Sequence, residues 1–309
     1  VLIFGVETAG GIGAVIHNAS ELPGYLSMTL SYDVNTGKAA PYSALTIVST
    51  AAWGLGYFGM PHILLRFMAI EDEKKLKLSR RVATIWVVIS LFVAVFIGVI
   101  GYTMSKVGAL EMLTGSNSET IIVKISALLS QHGVIFALLA GVILAGILAS
   151  TMSTSDSQLL AASSAVSSDI LGAFRKDSSN NNGSMAAARI TLLVISVVAA
   201  FIARNPDSSV FAIVSFAWAG FGAAFGPVVL FSLFWKRTNK WGALAGMVCG
   251  GSMVFIWKYL IRPLGGIWNI YELLPAFLIA CAAIVIVSLL TPKPSKEIEE
   301  EFDQVAQMK

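Results

Sequence analysis

The chain has 309 residues, of which 56% are hydrophobic and only 13% are charged, with a formal net charge of +3 and a mean hydropathy of +0.77. Because soluble domains carry about 25% charged residues, this composition excludes an ordinary water-soluble globular protein. The two cysteines, Cys249 and Cys281, lie in apolar runs and predict no disulfide framework.

Long uncharged runs predict membrane spans, since a helix needs about 20 apolar residues to cross a bilayer. Residues 1–16 are apolar but short, and we interpret them as the end of a truncated span, followed by an extracellular loop at residues 17–40. Residues 41–292 are predicted to hold a seven-span core that includes the C-terminal helices, and residues 293–309 a charged tail. The seven predicted spans are residues 39–65, 82–105, 134–155, 185–203, 208–235, 241–260 and 273–292, and an interfacial helix is predicted at 118–130.

The first complete span contains the motif W-G-L-G-Y-F-G-M-P-H at residues 53–62. Gly54, Gly56, Gly59 and Pro61 favour an interruption of the helix. Unpaired backbone groups cost several kcal/mol in hydrocarbon, so such an interruption is tolerated only against protein or a water-filled cavity. Discontinuous helices of this kind build substrate sites in many secondary transporters.

Trp53, Tyr57 and Pro61 follow at four-residue spacing and share one face wherever the segment stays helical. An indole, a phenol and a proline ring make an apolar wall with one hydroxyl, which suits a small amphiphilic solute. The alternative is that the glycines only permit close helix packing and that the aromatic side chains belong to the core.

A stripe of hydroxyl side chains marks the span at residues 134–155. Ser150, Ser153, Thr154 and Ser157 fall at i, i+3, i+4 and i+7, on one side of a helix. Hard cations prefer oxygen ligands, so two hydroxyls with a carbonyl one turn back predict part of a Na⁺ site. The alternative is that each hydroxyl bonds to a carbonyl of its own helix.

Asp156 adds an ionisable group to this stripe. Ionisable residues inside membrane segments are functional candidates, and with Ser157 it predicts an additional cation or proton site. The alternative is that Asp156 marks the point where the span reaches the lipid headgroups.

Lysines and arginines collect in alternate loops, which predicts the orientation. By the positive-inside rule the larger set, and with it the C-terminus, is cytoplasmic. This set consists of Arg66, Lys74, Lys75, Lys77, Arg80, Arg81, Arg175, Lys176, Arg189, Lys236, Arg237, Lys240, Lys293, Lys296 and Lys309.

Four stretches, residues 53–69, 148–160, 216–235 and 235–246, closely resemble the proline-transporting bacterial members of the sodium–solute symporter family. The resemblance runs from about residue 40 to residue 292 of the printed sequence. It implies an all-α integral membrane protein with a partial LeuT-type inverted-repeat transporter bundle and two extra C-terminal helices. It also implies a bacterial inner membrane location.

The same resemblance implies roles for individual residues. Trp53, Tyr57 and Pro61, with Gly56 and Met60 in the same stretch, match substrate-contacting positions. Met60 departs from the family pattern, because proline symporters usually carry glutamine there.

For the coupling ion, the resemblance assigns the hydroxyls of Ser153 and Thr154 and the carbonyl of Ser150 as Na⁺ ligands. The partner ligands come from the first core helix, which we expect in a missing N-terminal half of the same transporter. The Asp156 position carries a hydroxyl in some family members and belongs to an additional sodium site in others.

The prediction is therefore a secondary active transporter that imports a small amino acid, L-proline first, together with Na⁺. Na⁺ is the coupling ion, no cofactor and no nucleic-acid partner are expected, and no enzyme is indicated. The alternatives are a Na⁺-coupled symporter for another small organic solute, such as a carboxylate or a vitamin, and a non-transporting membrane sensor bundle. A channel-like bundle would require a continuous helix through residues 53–65.

Overall fold

A computed structural model describes residues 1–170, 181–204 and 209–307 of the chain. Arg175, Lys176 and Lys309, which contribute to the predicted orientation, lie outside these described residues. Two compact units are formed, the first by Val1–Leu26, Tyr32–Ala39 and Ile70–Val210, the second by Ser27–Ser31, Ala40–Ala69 and Phe211–Lys309.

The described residues are mostly helical, as expected for an all-α membrane protein. The helices are α1 (Leu2–Thr8), α2 (Ile12–Ser20), α3 (Ala44–Ala51), α4 (Trp53–Gly56), α5 (Pro61–Met68), α6 (Leu76–Lys106), α7 (Ile121–Ser130), α8 (Val134–Ser164), α9 (Asn181–Ile202), α10 (Val210–Phe234), α11 (Lys240–Ile256), α12 (Leu273–Leu290) and α13 (Lys296–Gln307). Short 3₁₀ or π segments lie at Tyr57–Gly59, Glu73–Lys75, Gly115–Thr120, Ala165–Ile170, Trp257–Ile261, Arg262–Leu264 and Gly266–Asn269.

Six helices among the described residues are long and apolar enough to cross a membrane. They coincide with six of the seven predicted spans and are Leu76–Lys106, Val134–Ser167, Met185–Ile202, Val210–Phe234, Lys240–Leu264 and Leu273–Leu290. The seventh predicted span, residues 39–65, is not one continuous helix, because it is divided into α3, α4, a 3₁₀ turn and α5.

The N-terminal residues form two short helices. Within residues 1–16, α1 and α2 are separated by a turn at Gly10 and Gly11, both with positive φ (91° and 94°). The turn lets both helices pack on α6, which also contacts α7, around a buried apolar cluster in the first unit. Its members are Ala9, Val15, Ile100, Met104 and Ile125.

The predicted loop at residues 17–40 contains regular structure as well. It holds the end of α2 and most of a two-stranded sheet, β1 (Leu30–Asp33) with β2 (Lys38–Pro41). Asp33 accepts hydrogen bonds from the Asn35 amide (2.9 Å) and the Thr36 hydroxyl (2.8 Å), which hold the pKa of its carboxyl below the usual value. With Gly37 at φ 65°, these bonds form the turn between the strands.

In the second unit α11 packs closely against α12 through a glycine stripe. A β-carbon on Gly246 would overlap Ile284, and one on Gly242 would overlap the Ser288 hydroxyl. Small residues four positions apart let helix backbones approach each other in membranes, where apolar burial alone gives no drive for association. The stripe ends at Asn239, whose carboxamide caps α11 at Gly242 N (2.9 Å) and donates to the Thr291 hydroxyl (2.7 Å).

The interruption in the second unit falls at the end of a 3₁₀ turn. Gly56 is still helical (φ −64°, ψ −30°), whereas Met60 is extended (φ −82°, ψ 112°) and Pro61 begins α5. Proline is suited to the first position of a helix because it has no amide hydrogen to leave unpaired. The predicted interruption is present, four residues later than Gly56.

Two glycines of this segment pack directly on α10. A β-carbon on Gly56 would overlap the indole of Trp218, and one on Gly59 would overlap the carbonyl oxygen of Phe221. The Gly54 position, in contrast, has no such neighbour within 4 Å. For Gly56 and Gly59 the structure therefore gives the close packing that the sequence analysis left open as the alternative.

We expect Gly56→Ala to destabilise the protein, because the added methyl group must displace the Trp218 indole. Overpacking of this kind costs about 1–3 kcal/mol. The temperature of thermal unfolding in detergent and the amount of protein in the membrane would both decrease. Gly54→Ala is the matched control and should behave as the parent, and equal stability of the two variants would contradict the packing.

Candidate functional site

The predicted site residues lie in two segments, one in each unit. The interruption segment, residues 53–61 in the second unit, holds Trp53, Gly56, Tyr57, Met60 and Pro61. The hydroxyl segment, residues 150–157 in the first unit, holds Ser150, Ser153, Thr154, Asp156 and Ser157.

Trp53 lies in a cluster of aromatic rings. Its indole stacks with Phe211 (ring centroids 5.4 Å apart), Tyr271 (5.6 Å) and Trp218 (6.0 Å). The backbone carbonyl of Trp53 accepts a hydrogen bond from the Trp218 indole nitrogen at 3.0 Å. Ring contacts contribute about 0.5–1.5 kcal/mol per pair beyond their buried area, so Trp53 is firmly held by the second unit itself.

Tyr57 is the most exposed of the predicted substrate residues. Its side chain is 56% exposed and touches Trp218 only edge-on, with ring centroids 4.8 Å apart. Met60 is only 7% exposed and Gly56 is buried, while Pro61 is half-buried. Tyr57 therefore presents an aromatic wall and a hydroxyl, whereas Gly56 and Met60 mainly fill space.

Sequence reasoning did not identify two aromatic residues that surround this segment. Trp218 lies in the stretch at 216–235 that resembles the family, but no role was predicted for it. Tyr271 lies outside all four of the stretches that carry the resemblance. Tyr271 is 7% exposed, and burial raises the pKa of its phenol. No periodicity in the sequence identifies these positions, because each contacts Trp53 across more than 150 residues of chain. Trp218, for example, is 165 residues away from Trp53 in the sequence, and the two are joined by a hydrogen bond.

The hydroxyl segment brings three oxygens together on α8. The Ser150 carbonyl accepts from the Ser153 hydroxyl at 3.0 Å and from the Thr154 hydroxyl at 3.4 Å. Ser157 in turn donates to the Ser153 carbonyl at 3.0 Å. These bonds agree with the alternative that each hydroxyl bonds to a carbonyl of its own helix. They also hold the oxygens of Ser150, Ser153 and Thr154 close together.

The position of this segment along α8 differs from the prediction. The predicted span ends at residue 155, but α8 continues to Ser164 and is 31 residues long, about 46 Å. Ser150 and Asp156 therefore lie well inside the helix and are exposed on the first unit. The helix continues because residues 149–162 contain neither glycine nor proline.

Residues 1–250 match the family model of the sodium:solute symporter family. The chain is 41% identical over 262 residues to the sodium/proline symporter of Haemophilus influenzae, covering 84% of this chain and 51% of that protein. It is 39% identical over 254 residues to the osmoregulated proline transporter OpuE of Bacillus subtilis, covering 82% of this chain and 50% of that protein.

A similar match, 39% identical over 259 residues, is found with the sodium/proline symporter of Escherichia coli, covering 84% of this chain and 50% of that protein. The chain thus spans about half the length of the curated relatives it matches. All three relatives are transporters by name. On the extent of the family match, which covers most of its length, this chain belongs to the sodium:solute symporter family.

Proposed function

We propose that the chain forms part of a Na⁺-coupled importer whose first substrate is L-proline. The observation that carries this proposal is the interrupted span at residues 53–61, with an exposed Tyr57, in a chain about 40% identical to sodium/proline symporters. The fold that we propose with this function is the LeuT-type inverted-repeat bundle with two extra C-terminal helices.

The substrate side of the proposal rests on Tyr57 and on the backbone around Met60. Proline is small and amphiphilic, so it suits an aromatic wall with one hydroxyl and nearby peptide groups. Met60, where proline symporters usually carry glutamine, is buried. Its side chain therefore changes the packing behind the segment and not the surface that Tyr57 exposes.

The cation side of the proposal rests on the Ser150 carbonyl and the hydroxyls of Ser153 and Thr154 as Na⁺ ligands. Hard cations take more than three oxygen ligands, so other segments must complete the shell. To coordinate Na⁺, the two hydroxyls turn their hydrogens away and present lone pairs. We assign Asp156 and Ser157 to an additional cation or proton site one turn further along α8.

Coupling requires that Na⁺ binds one conformation of the transporter more tightly than the other. We propose that Na⁺ stabilises the outward-open state that accepts the solute. The membrane potential then contributes about 2.3 kcal/mol per charge for each 100 mV.

The chain is a multi-pass membrane protein, as its six membrane-capable helices and its family indicate. We propose a bacterial inner membrane location with α13 and the C-terminus in the cytoplasm. The basic residues of the Arg66–Arg81 and Lys236–Lys240 loops support this orientation.

A chimeric transporter tests the function directly. The matched segment of the Escherichia coli relative is replaced by the corresponding residues of this chain, and uptake of radiolabelled proline is measured in cells that lack proline transport. We expect uptake that depends on Na⁺ and is competed by unlabelled proline but not by carboxylates or vitamins. A chimera that reaches the membrane but neither takes up proline nor responds to Na⁺ would contradict the proposal, and the intact relative is the control.

Tyr57→Ala in this chimera should raise the KM for proline while leaving the half-saturating Na⁺ concentration nearly unchanged. The reason is that Tyr57 lies in the interruption segment and not among the proposed Na⁺ ligands. Proline titrations at saturating Na⁺ measure the effect. Tyr42→Ala, at an exposed tyrosine before α3, is the matched control, and an unaltered KM in Tyr57→Ala would remove this residue from the site.

Ser153→Ala and Thr154→Ala should each raise the half-saturating Na⁺ concentration, by about tenfold for the loss of one ligand worth about 1.4 kcal/mol. Na⁺ titrations of proline uptake give this concentration. Thr151→Ala is the control, since the Thr151 hydroxyl bonds to the Ile147 carbonyl at 2.9 Å, away from the Ser150 carbonyl. If all three variants titrate like the parent, the hydroxyls are intrahelical bonds only.

A further inference from the structure

We infer that Tyr271, just before the last membrane-capable helix, is a positioning residue for the interruption segment and so sets the affinity for the solute. The inference rests on the proposed function, because it concerns how the interrupted helix presents Tyr57. Tyr271 lies far along the chain from the interruption segment and outside every motif that was predicted to form a site.

Tyr271 makes three separate contacts within the second unit. Its backbone amide donates to the Ser49 hydroxyl at 3.1 Å, which ties it to α3. Its ring stacks on Trp53 of α4, with centroids 5.6 Å apart and planes at 14°. Its hydroxyl donates to the Ser215 carbonyl of α10 at 2.6 Å. Tyr271 therefore contacts α3 through its backbone amide, and its side chain connects α4 with α10, the helix on which α4 packs.

Tyr271 is itself held rigidly by its neighbours. It is 7% exposed and belongs to the main apolar cluster of the second unit, next to Leu273, which is fully buried. The following residue, Glu272, is also buried and pairs with Arg262 at 2.8 Å. An ion pair with a buried partner has little freedom to move, since an unpaired buried carboxylate is strongly unfavourable.

The interruption segment needs such support because it has little of its own. α4 has only four residues and is followed by a 3₁₀ turn and the extended Met60. A helix this short is not stable by its own hydrogen bonds. Its orientation therefore depends on contacts with its surroundings, and these include the stacking of Trp53 on Tyr271 and Trp218.

Removing the Tyr271 hydroxyl should weaken solute binding without stopping turnover. In the active chimera we expect Tyr271→Phe to raise the KM for proline about threefold to tenfold, the effect of losing one net hydrogen bond, with the maximal rate nearly unchanged. Tyr271→Leu, which also removes the ring stack, should raise the KM further. Tyr259→Phe is the matched control, because Tyr259 lies on the same unit but is 61% exposed.

A role in stability alone would reduce the amount of transporter in the membrane and leave the KM unaltered. Uptake is therefore normalised to surface protein. Unaltered KM values in both Tyr271 variants would overturn the inference.

A second measurement does not depend on transport. In the 309-residue chain, Cys249→Ala and Cys281→Ala remove the native thiols, and Gly54→Cys carries a spin label at a position with open space around it. We expect Tyr271→Leu to sharpen the spectrum of this label, reporting a more mobile α4, and Tyr259→Phe to leave it as in the parent.

The two experiments separate the two proposals. A chimera that does not transport proline, with a label that is mobilised by Tyr271→Leu, would reject the proposed substrate and retain the positioning role. An active chimera with unaltered KM values and an immobile label in Tyr271→Leu would retain the function and reject the role of Tyr271.

Discussion

The structure depends on one constraint, the need to pair backbone polar groups where no water is available. A helix satisfies this need by itself, but the interrupted span at residues 53–61 does not. Its surroundings supply what is missing. The Trp218 indole donates to the Trp53 carbonyl, and Pro61 stands where an amide hydrogen would otherwise need a partner. The interruption is therefore a feature that α10 supports.

Close helix packing and the proposed substrate site involve the same segment. The sequence left open whether its glycines serve a binding site or close helix contact, and the geometry of Gly56 and Gly59 against α10 gives the contact. This contact does not compete with a site, because it is what allows a broken helix to lie against protein. Tyr57 stays exposed beside this contact. In the hydroxyl segment, likewise, the intrahelical bonds of Ser153 and Thr154 gather oxygens that a cation could use.

Local patterns predicted much of the architecture. Six apolar runs became membrane-capable helices, and the Gly-Pro motif predicted a break to within four residues. The errors also have local causes. The turn at Gly10 and Gly11 divides residues 1–16, and Asp33 and Gly37 build a hairpin in a segment taken as loop. α8 continues beyond residue 155 because the sequence there contains neither glycine nor proline.

The sequence by itself determined which segments are helical and apolar, which residues carry hydroxyls at helical spacing, and the family, because hydropathy, periodicity and identity are properties of short stretches and their order. Only the tertiary structure decided which glycines touch α10 and that Trp218 and Tyr271 hold Trp53. Those contacts join residues far apart in the chain, with a separation of 222 between Tyr271 and Ser49. No local pattern records such a pairing, because it exists only after the helices have packed.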